Sequence, residues 1–213
     1  MTKKAVFFDL DGTLTDSGEG IINCATLALE HFGLPVPPRE KMRVFVGPPL
    51  DQTFIKFGVP AEKTAEAIRV FRSRYVVTGK FENYPYPGIC QALQQLKDQG
   101  HRLFVATSKP EVTALEVLEK FQMTDYFEAI CGATLDGTRS HKADVIAFLL
   151  NRLEDVKDKI MVGDTAFDVT GAAAHGIPTI GVSWGYGEVA DMEKAGAMAI
   201  AHSMEELVAL VNG

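Results

Sequence analysis

The chain has 213 residues, enough for one large domain or for a domain carrying a smaller insert. With 46% hydrophobic and 23% charged residues it has the composition of a soluble globular protein, and no stretch approaches the roughly 18 apolar residues of a membrane span. A formal net charge of -7 argues against a nucleic-acid polymer as the main partner, which would want a basic face, while leaving room for a small anion whose site is made locally positive by a cation and a lysine or two.

The first apolar run, residues 4–8, reads as a buried strand and ends in Asp9-Leu10-Asp11-Gly12. Helical patterns alone follow, over residues 18–32, 39–46, 50–57 and 61–78, punctuated by Gly33, Gly47-Pro48-Pro49 and Gly58. From residue 102 onward strands are predicted at 102–107, 129–131, 159–162 and 179–182, with helical segments between them. Pro110 is placed at a first helical position, Gly100 and Gly176 at left-handed helix ends, and Ser203 with Glu206 as a capping box before Leu207 and Val208. This alternation predicts an α/β fold: a Rossmann-like parallel sheet core covered by helices, with an inserted all-helical cap domain. The division expected is 1–15 plus 85–213 for the catalytic core and 16–84 for the cap, with Pro85 and Pro87 stiffening the return linker.

Two strands ending in carboxylates point to one acidic site, because ligands bind beyond the carboxyl ends of parallel strands. Asp9 and Asp11 close the first strand; Asp164 and Asp168 follow Ile160-Met161-Val162. Carboxylates crowded in one place repel unless a hard cation joins them, and Mg2+ suits an all-oxygen set. A carboxylate beside such a cation can attack phosphorus, and a second acid two residues on can protonate the leaving oxygen. Gly12 permits close backbone approach to a phosphate. Thr107-Ser108-Lys109-Pro110, at a strand end and helix start, offers a hydroxyl and free N–H groups to a phosphate, although a simple N-cap gives the same pattern. Lys142 opens a helix, an electrostatically poor place for a cation, which favours an anion-binding task.

In this order the segments Asp9-Leu10-Asp11-Gly12-Thr13, Thr107-Ser108-Lys109, Lys142 and Gly163-Asp164 with Asp168 resemble the haloacid dehalogenase-like hydrolase superfamily over essentially the whole chain. The helical insert after the first motif resembles its C1-type cap subclass, and Tyr86-Pro87-Gly88, Ser108-Lys109-Pro110 and Asp136-Gly137 resemble phosphoglycolate phosphatase-like members. The resemblance implies that Asp9 is the nucleophile and a Mg2+ ligand, and that Asp11 is the general acid and base with its carbonyl on the metal. Thr107 would hold a phosphoryl oxygen, Lys142 would steady the nucleophile, and Asp164 would bind the metal. Asp168 would act on a metal-bound water or order the loop. Gly12, Thr13, Ser108 and Lys109 would face the substrate phosphate.

An acid at Asp11 argues against dehalogenation, since halide leaves without a proton. The expected activity is a Mg2+-dependent phosphatase for a small phosphate monoester, with 2-phosphoglycolate a candidate and an aspartyl-phosphate intermediate. A 5'-nucleotidase or pyrophosphatase, a sugar phosphomutase and a non-catalytic phosphate-binding regulator are the alternatives. In the cap, Arg43 and Gly47 are candidates to meet a substrate carboxylate, and Phe71, Tyr75, Phe81 and Tyr84 are read as cap core and hinge packing. Trp184-Gly185-Tyr186-Gly187 is expected on a loop at the active edge, and the five histidines as helix-end or surface groups. Three cysteines, Cys24, Cys90 and Cys131, and a start without a signal-peptide cleavage pattern give the expectation of a cytoplasmic protein with reduced thiols. No membrane or nucleic-acid partner is expected; the oligomeric state is left between monomer and homodimer.

Overall fold

A computed structural model describes residues 3–153 and 157–213. The chain divides into two compact units, Met1–Thr15 with Pro85–Gly213, and Asp16–Tyr84. In chain order the elements are β1 (Ala5–Phe8), β2 (Thr15–Asp16), α1 (Gly18–His31), α2 (Arg39–Met42), α3 (Leu50–Lys56), α4 (Thr64–Tyr75), β3 (Tyr84–Pro85), α5 (Ile89–Asp98), β4 (Arg102–Pro110) and α6 (Glu111–Lys120). They continue with β5 (Ala129–Ala133), α7 (Lys142–Leu150), β6 (Lys159–Gly163), α8 (Ala166–Ala173), β7 (Thr179–Val182), α9 (Val189–Ala195), β8 (Ala199–Ala201) and α10 (Met204–Asn212).

The larger unit holds a six-stranded sheet in the order β5-β4-β1-β6-β7-β8, with parallel pairing throughout. The α/β fold class read from the sequence is the one observed. β1 is apolar at every position because both of its faces are covered. Val6 and Phe8 join Leu103, Val105, Ile160 and Val162 against α5, α6 and α10. Ala5 and Phe7 join Phe104, Met161 and the α7 residues Val145, Ile146 and Leu149 on the other face. Phe7 and Phe104 meet edge to face at 5.8 Å. The strand order places β1 where the chain, having gone out through β4 and β5, returns past it to β6. A crevice opens beyond the strand ends at such a reversal.

The smaller unit is helical. Its core is aromatic: Phe45 lies 5.1 Å from Phe54 and 4.7 Å from Phe57, and Phe71 stacks on Tyr75 at 5.2 Å. Arg74 closes a two-pronged ion pair on Glu82, both contacts at 2.7 Å.

Several boundaries differ from the sequence expectation. The pattern over 39–46 yields only the short α2 and a 3-10 turn at Arg43–Phe45, because Gly47 turns at φ +101 just ahead of Pro48 and Pro49. The pattern over 61–78 begins as a 3-10 turn and stops at Tyr75; Val76 and Val77 are exposed and gain no burial to offset their poor helix propensity. Phe81 and Tyr84 are 36% and 59% exposed, so of the four aromatics read as cap packing only Phe71 and Tyr75 are core. Pro110 is not helical: at φ -52, ψ 129 it pairs with Ala133 at the end of β4 and precedes α6. β8, built from two alanines and an isoleucine, carries too weak a strand signal to be read in advance. His101 is a helix-end group, its N–H reaching the Leu96 carbonyl of α5 at 3.1 Å, but it is buried, 5% exposed and held through Nδ1 by the Lys4 N–H at 3.2 Å.

Gly100 and Gly176 do take positive φ, +87 and +67. The capping box at α10 is half formed: Ser203 Oγ accepts from the Glu206 N–H at 3.2 Å, whereas the Glu206 carboxylate turns to the His202 N–H at 2.8 Å. Replacing Ser203 by alanine should therefore cost about 1 kcal/mol, the worth of a single side-chain cap. Urea denaturation checks this, and an unchanged midpoint would contradict it.

Candidate active site and metal centre

Register carries the acidic residues to one place. Phe8 pairs with Val105 on β4 and with Val162 on β6, so the residues just past these positions leave the sheet side by side. Asp9 donates its N–H to the Val162 carbonyl at 2.9 Å, continuing the ladder by one step. In the strand alternation Asp9 follows Phe7, toward the face covered by α7 and α8. The first residue of α7 is Lys142, and Asp168 stands in the first turn of α8.

Lys142 is buried, with Nζ 2.8 Å from Asp9 Oδ1, 2.8 Å from Asp168 Oδ1 and 3.0 Å from the Ala106 carbonyl. Its path between α7 and α8 is open because residue 171 is glycine; a Cβ there would stand 2.7 Å from Lys142 Cβ. The unfavourable cation at a helix start is thus offset by two carboxylates. Asp168 is fully buried, and its Oδ2 accepts from Thr165 N at 3.0 Å and Thr165 Oγ1 at 2.8 Å. Asp164 is buried as well; Oδ1 accepts from Thr13 Oγ1 at 3.2 Å and Oδ2 from the Tyr186 N–H at 2.8 Å.

One oxygen from each of Asp9, Asp164 and Asp168 can be chosen so that all three lie within 4.8 Å of one another. Burial pushes the Asp164 carboxyl well above the usual carboxylate range, and the Asp168 and Asp9 charges push it further. Burial raises Asp9 too, with Lys142 opposing it and Asp168 adding to it. Burial alone would lower the Lys142 ammonium, but Asp168 and Asp9 hold it above its ordinary value. Three buried carboxyl groups facing one ammonium offer only hard oxygen donors and, when all are ionised, an excess of negative charge. That donor set fits a hard divalent cation.

The remaining expected residues of the larger unit fall around this cluster. Gly12 has φ +83, and a Cβ on it would stand 2.1 Å from Asp164 Oδ2, so only glycine lets the loop after β1 lie against that carboxylate. Asp11 lies outside the group of three; its Oδ1 is paired with Lys109 Nζ at 2.5 Å. Thr107 is buried and hydrogen-bonds the Asp9 carboxylate, and its Oγ1 also accepts from the Lys109 N–H at 3.2 Å. Ser108 is half-buried at the same strand end. Arg43 and Gly47 lie exposed in the helical unit.

The segment 184–187, expected at this edge, has a role its side chains do not signal: Tyr186 gives Asp164 a backbone donor, and Trp184 Nε1 donates to the Thr13 carbonyl at 3.2 Å. The only sequence signal was the pair of glycines flanking an aromatic just past a strand end.

Residues 6–182 match the family model of the haloacid dehalogenase-like hydrolases. The chain belongs to the haloacid dehalogenase-like hydrolase family. Among curated relatives it is 43% identical over 199 residues to the tyrosine-protein kinase PtkA of Mycobacterium tuberculosis, covering 93% of this chain and 68% of that one. It is 41% identical over 184 residues to a 5'-nucleotidase of Pseudomonas aeruginosa, covering 85% and 83%, and 32% identical over 210 residues to a phosphoglycolate phosphatase of Caulobacter vibrioides, covering 93% and 86%. Among solved structures, a predicted phosphatase from Clostridium acetobutylicum superposes with a TM-score of 0.94 at 41% identity, covering 100% of this chain and 99% of that one. Among the described residues no helix is long and apolar enough to cross a membrane.

The raised carboxyls of this family member give a pH dependence. A carboxyl whose native pKa lies above its unfolded value binds more protons when folded, so stability falls as pH rises from the ordinary 3.8 through the raised native value. In chelator, Asp164→Asn should be as stable as wild type at about pH 4 and more stable at about pH 7.5, where unfolding lets wild type gain an ionisation that the fold disfavours. Surface carboxylates with lowered values contribute equally to both proteins and cancel. Urea midpoints across that range measure the difference; a gap that does not widen with pH would refute the assignment.

Proposed function

We propose that this phosphatase of the haloacid dehalogenase-like family hydrolyses a small phosphate monoester by way of an aspartyl-phosphate on Asp9, with Mg2+ as cofactor. The observation that carries the proposal is the placement of Asp9. It is 8% exposed at the end of the central strand, with Lys142 2.8 Å from its Oδ1 and the Leu10 N–H at 2.7 Å on the same oxygen. A carboxylate fixed in this way is aimed without being free to swing, which serves in-line attack on phosphorus.

Asp9, Asp164 and Asp168 are the side chains available to Mg2+, which when bound would neutralise charge between carboxylate and phosphoryl oxygens. Lys142 spans Asp9 and Asp168 and supplies a positive charge beside the transferring group. Thr107, whose hydroxyl proton goes to the Asp9 carboxylate, would turn that proton to a phosphoryl oxygen when substrate binds. Asp11 would protonate the leaving oxygen and then take a proton from the attacking water. To do so it must exchange its ion pair with Lys109, which would in turn be drawn to the substrate phosphate. Gly12, Thr13 and Ser108 border the phosphate, and Arg43 and Gly47 are the candidates in the helical unit for the leaving group.

Two substrate classes have support: 2-phosphoglycolate, from the likeness to the Caulobacter enzyme, and a nucleoside 5'-monophosphate, from the greater identity to the Pseudomonas one. The same aspartyl-phosphate chemistry underlies both. The test is phosphate release from a panel containing both classes, with and without Mg2+, using wild type and Asp9→Asn. Wild type should label on an aspartate and turn over, while Asp9→Asn should fold and lose at least about 1,000-fold in rate, because an amide is a poor nucleophile. Near-normal turnover by Asp9→Asn would rule the mechanism out.

A further inference from the structure

We infer that Trp184 is a positioning residue for the cation site, acting through Thr13 and the loop after β7 on the orientation of Asp164. The inference rests on the reading of Asp9, Asp164 and Asp168 as a divalent-cation site.

The two donors to Asp164 come from segments far apart in sequence. Thr13, in the loop after β1, gives its hydroxyl to Oδ1 at 3.2 Å; Tyr186, in the loop after β7, gives its N–H to Oδ2 at 2.8 Å. Trp184 joins those segments directly, since its indole Nε1 donates 3.2 Å to the carbonyl of Thr13 itself. The connections close a ring: indole to Thr13, Thr13 to Asp164, Asp164 to Tyr186, and two residues of backbone to Trp184. Within that ring there is little slack. A Cβ on Gly12 would approach Asp164 Oδ2 to 2.1 Å, one on Gly185 would approach Asp164 Cβ to 2.2 Å, and one on Gly187 would approach the Asp164 carbonyl to 2.1 Å. Backbone therefore presses on Asp164 from both loops.

The indole is fixed in its turn. Tyr86 meets it edge to face at 6.4 Å, and Tyr86 is tied by its N–H to the carbonyl of Leu14, the residue after Thr13. Losing the indole N–H leaves the Thr13 carbonyl without that donor and frees the Thr13 peptide to turn, and with it the hydroxyl that aims Oδ1. A carboxylate that rotates must be reoriented on each binding event, so the cost falls on cation affinity.

The test uses the full chain. Trp184→Phe keeps an aromatic ring against Tyr86 and removes the N–H; 3-benzothienylalanine at position 184 keeps the bicyclic shape and removes only the N–H. Calorimetric titration of Mg2+, and of Mn2+ as a second probe, should give dissociation constants about tenfold weaker for both proteins, with thermal midpoints near that of wild type. Thr13→Val should weaken binding similarly, and the double variant with Trp184→Phe should lose little more than either alone, since both act through one connection. If Trp184→Phe fails to fold, the benzothienyl protein decides. Dissociation constants equal to wild type in the protein lacking the N–H would overturn this inference alone; wild type that binds neither cation would overturn the cation site and this inference with it.

Discussion

Asp9, Asp164 and Asp168 would drive one another apart in a buried site were Lys142 not lodged against two of them. That contest between like charges, settled by one ammonium and the hydrogen bonds around it, is what the surrounding structure is arranged to hold. A buried carboxylate without a partner is costly, and removing one partner of a buried ion pair costs roughly 3–5 kcal/mol. The arrangement persists because each acid has several fixed contacts: Leu10 N–H, Thr107 and Lys142 on Asp9, Thr13 and Tyr186 on Asp164, Thr165 and Lys142 on Asp168. When all three acids are ionised an excess of negative charge still remains, and this is what suits the cluster to a cation.

The parallel sheet is what brings the charges together. Its strands all point the same way, so the chain leaves β1, β4, β6 and β7 at one edge, and each exit contributes: Asp9 and Asp11, Thr107 to Lys109, Asp164, and Trp184 to Tyr186. Helices then enter that edge from the two faces. The face carrying Phe7 is covered by α7 and α8, whose first turns deliver Lys142 and Asp168 to the carboxylate that follows Phe7. Hydrophobic packing thus fixes the depth of the acids, and the shared strand direction fixes their convergence.

Much of this was legible from the amino acids alone, and the reasons are physical. A buried parallel strand must be apolar throughout, so Ala5-Val6-Phe7-Phe8 and Ile160-Met161-Val162 announce themselves and the acids after them stand out. Lys142 was visible as an electrostatic conflict at a helix start, which favours an anion-binding task. What escaped the sequence were interactions made by backbone groups and by residues with two plausible roles. Lys109 looked like a phosphate ligand and is found on Asp11; the Tyr186 N–H carries no side-chain signature; Trp184 was expected at the active edge, but the carbonyl its N–H reaches lies 171 residues away in sequence. Element ends were misjudged where proline set only one of two dihedrals, as at Pro110, or where burial ceased before helical periodicity did, as after Tyr75.

On the proposed function, buried like charge relieved only in part by Lys142 would make a cation part of the folded state. A ligand that binds only the folded protein stabilises it by an amount that grows with concentration, about 2.7 kcal/mol at a hundred times the dissociation constant. The direct measurement is the thermal unfolding midpoint as a function of Mg2+ at constant ionic strength, in wild type and in Asp164→Asn. A midpoint that climbs with Mg2+ in wild type and climbs much less in the variant is the result expected. A midpoint that ignores Mg2+, or that rises equally in both proteins, would contradict the account.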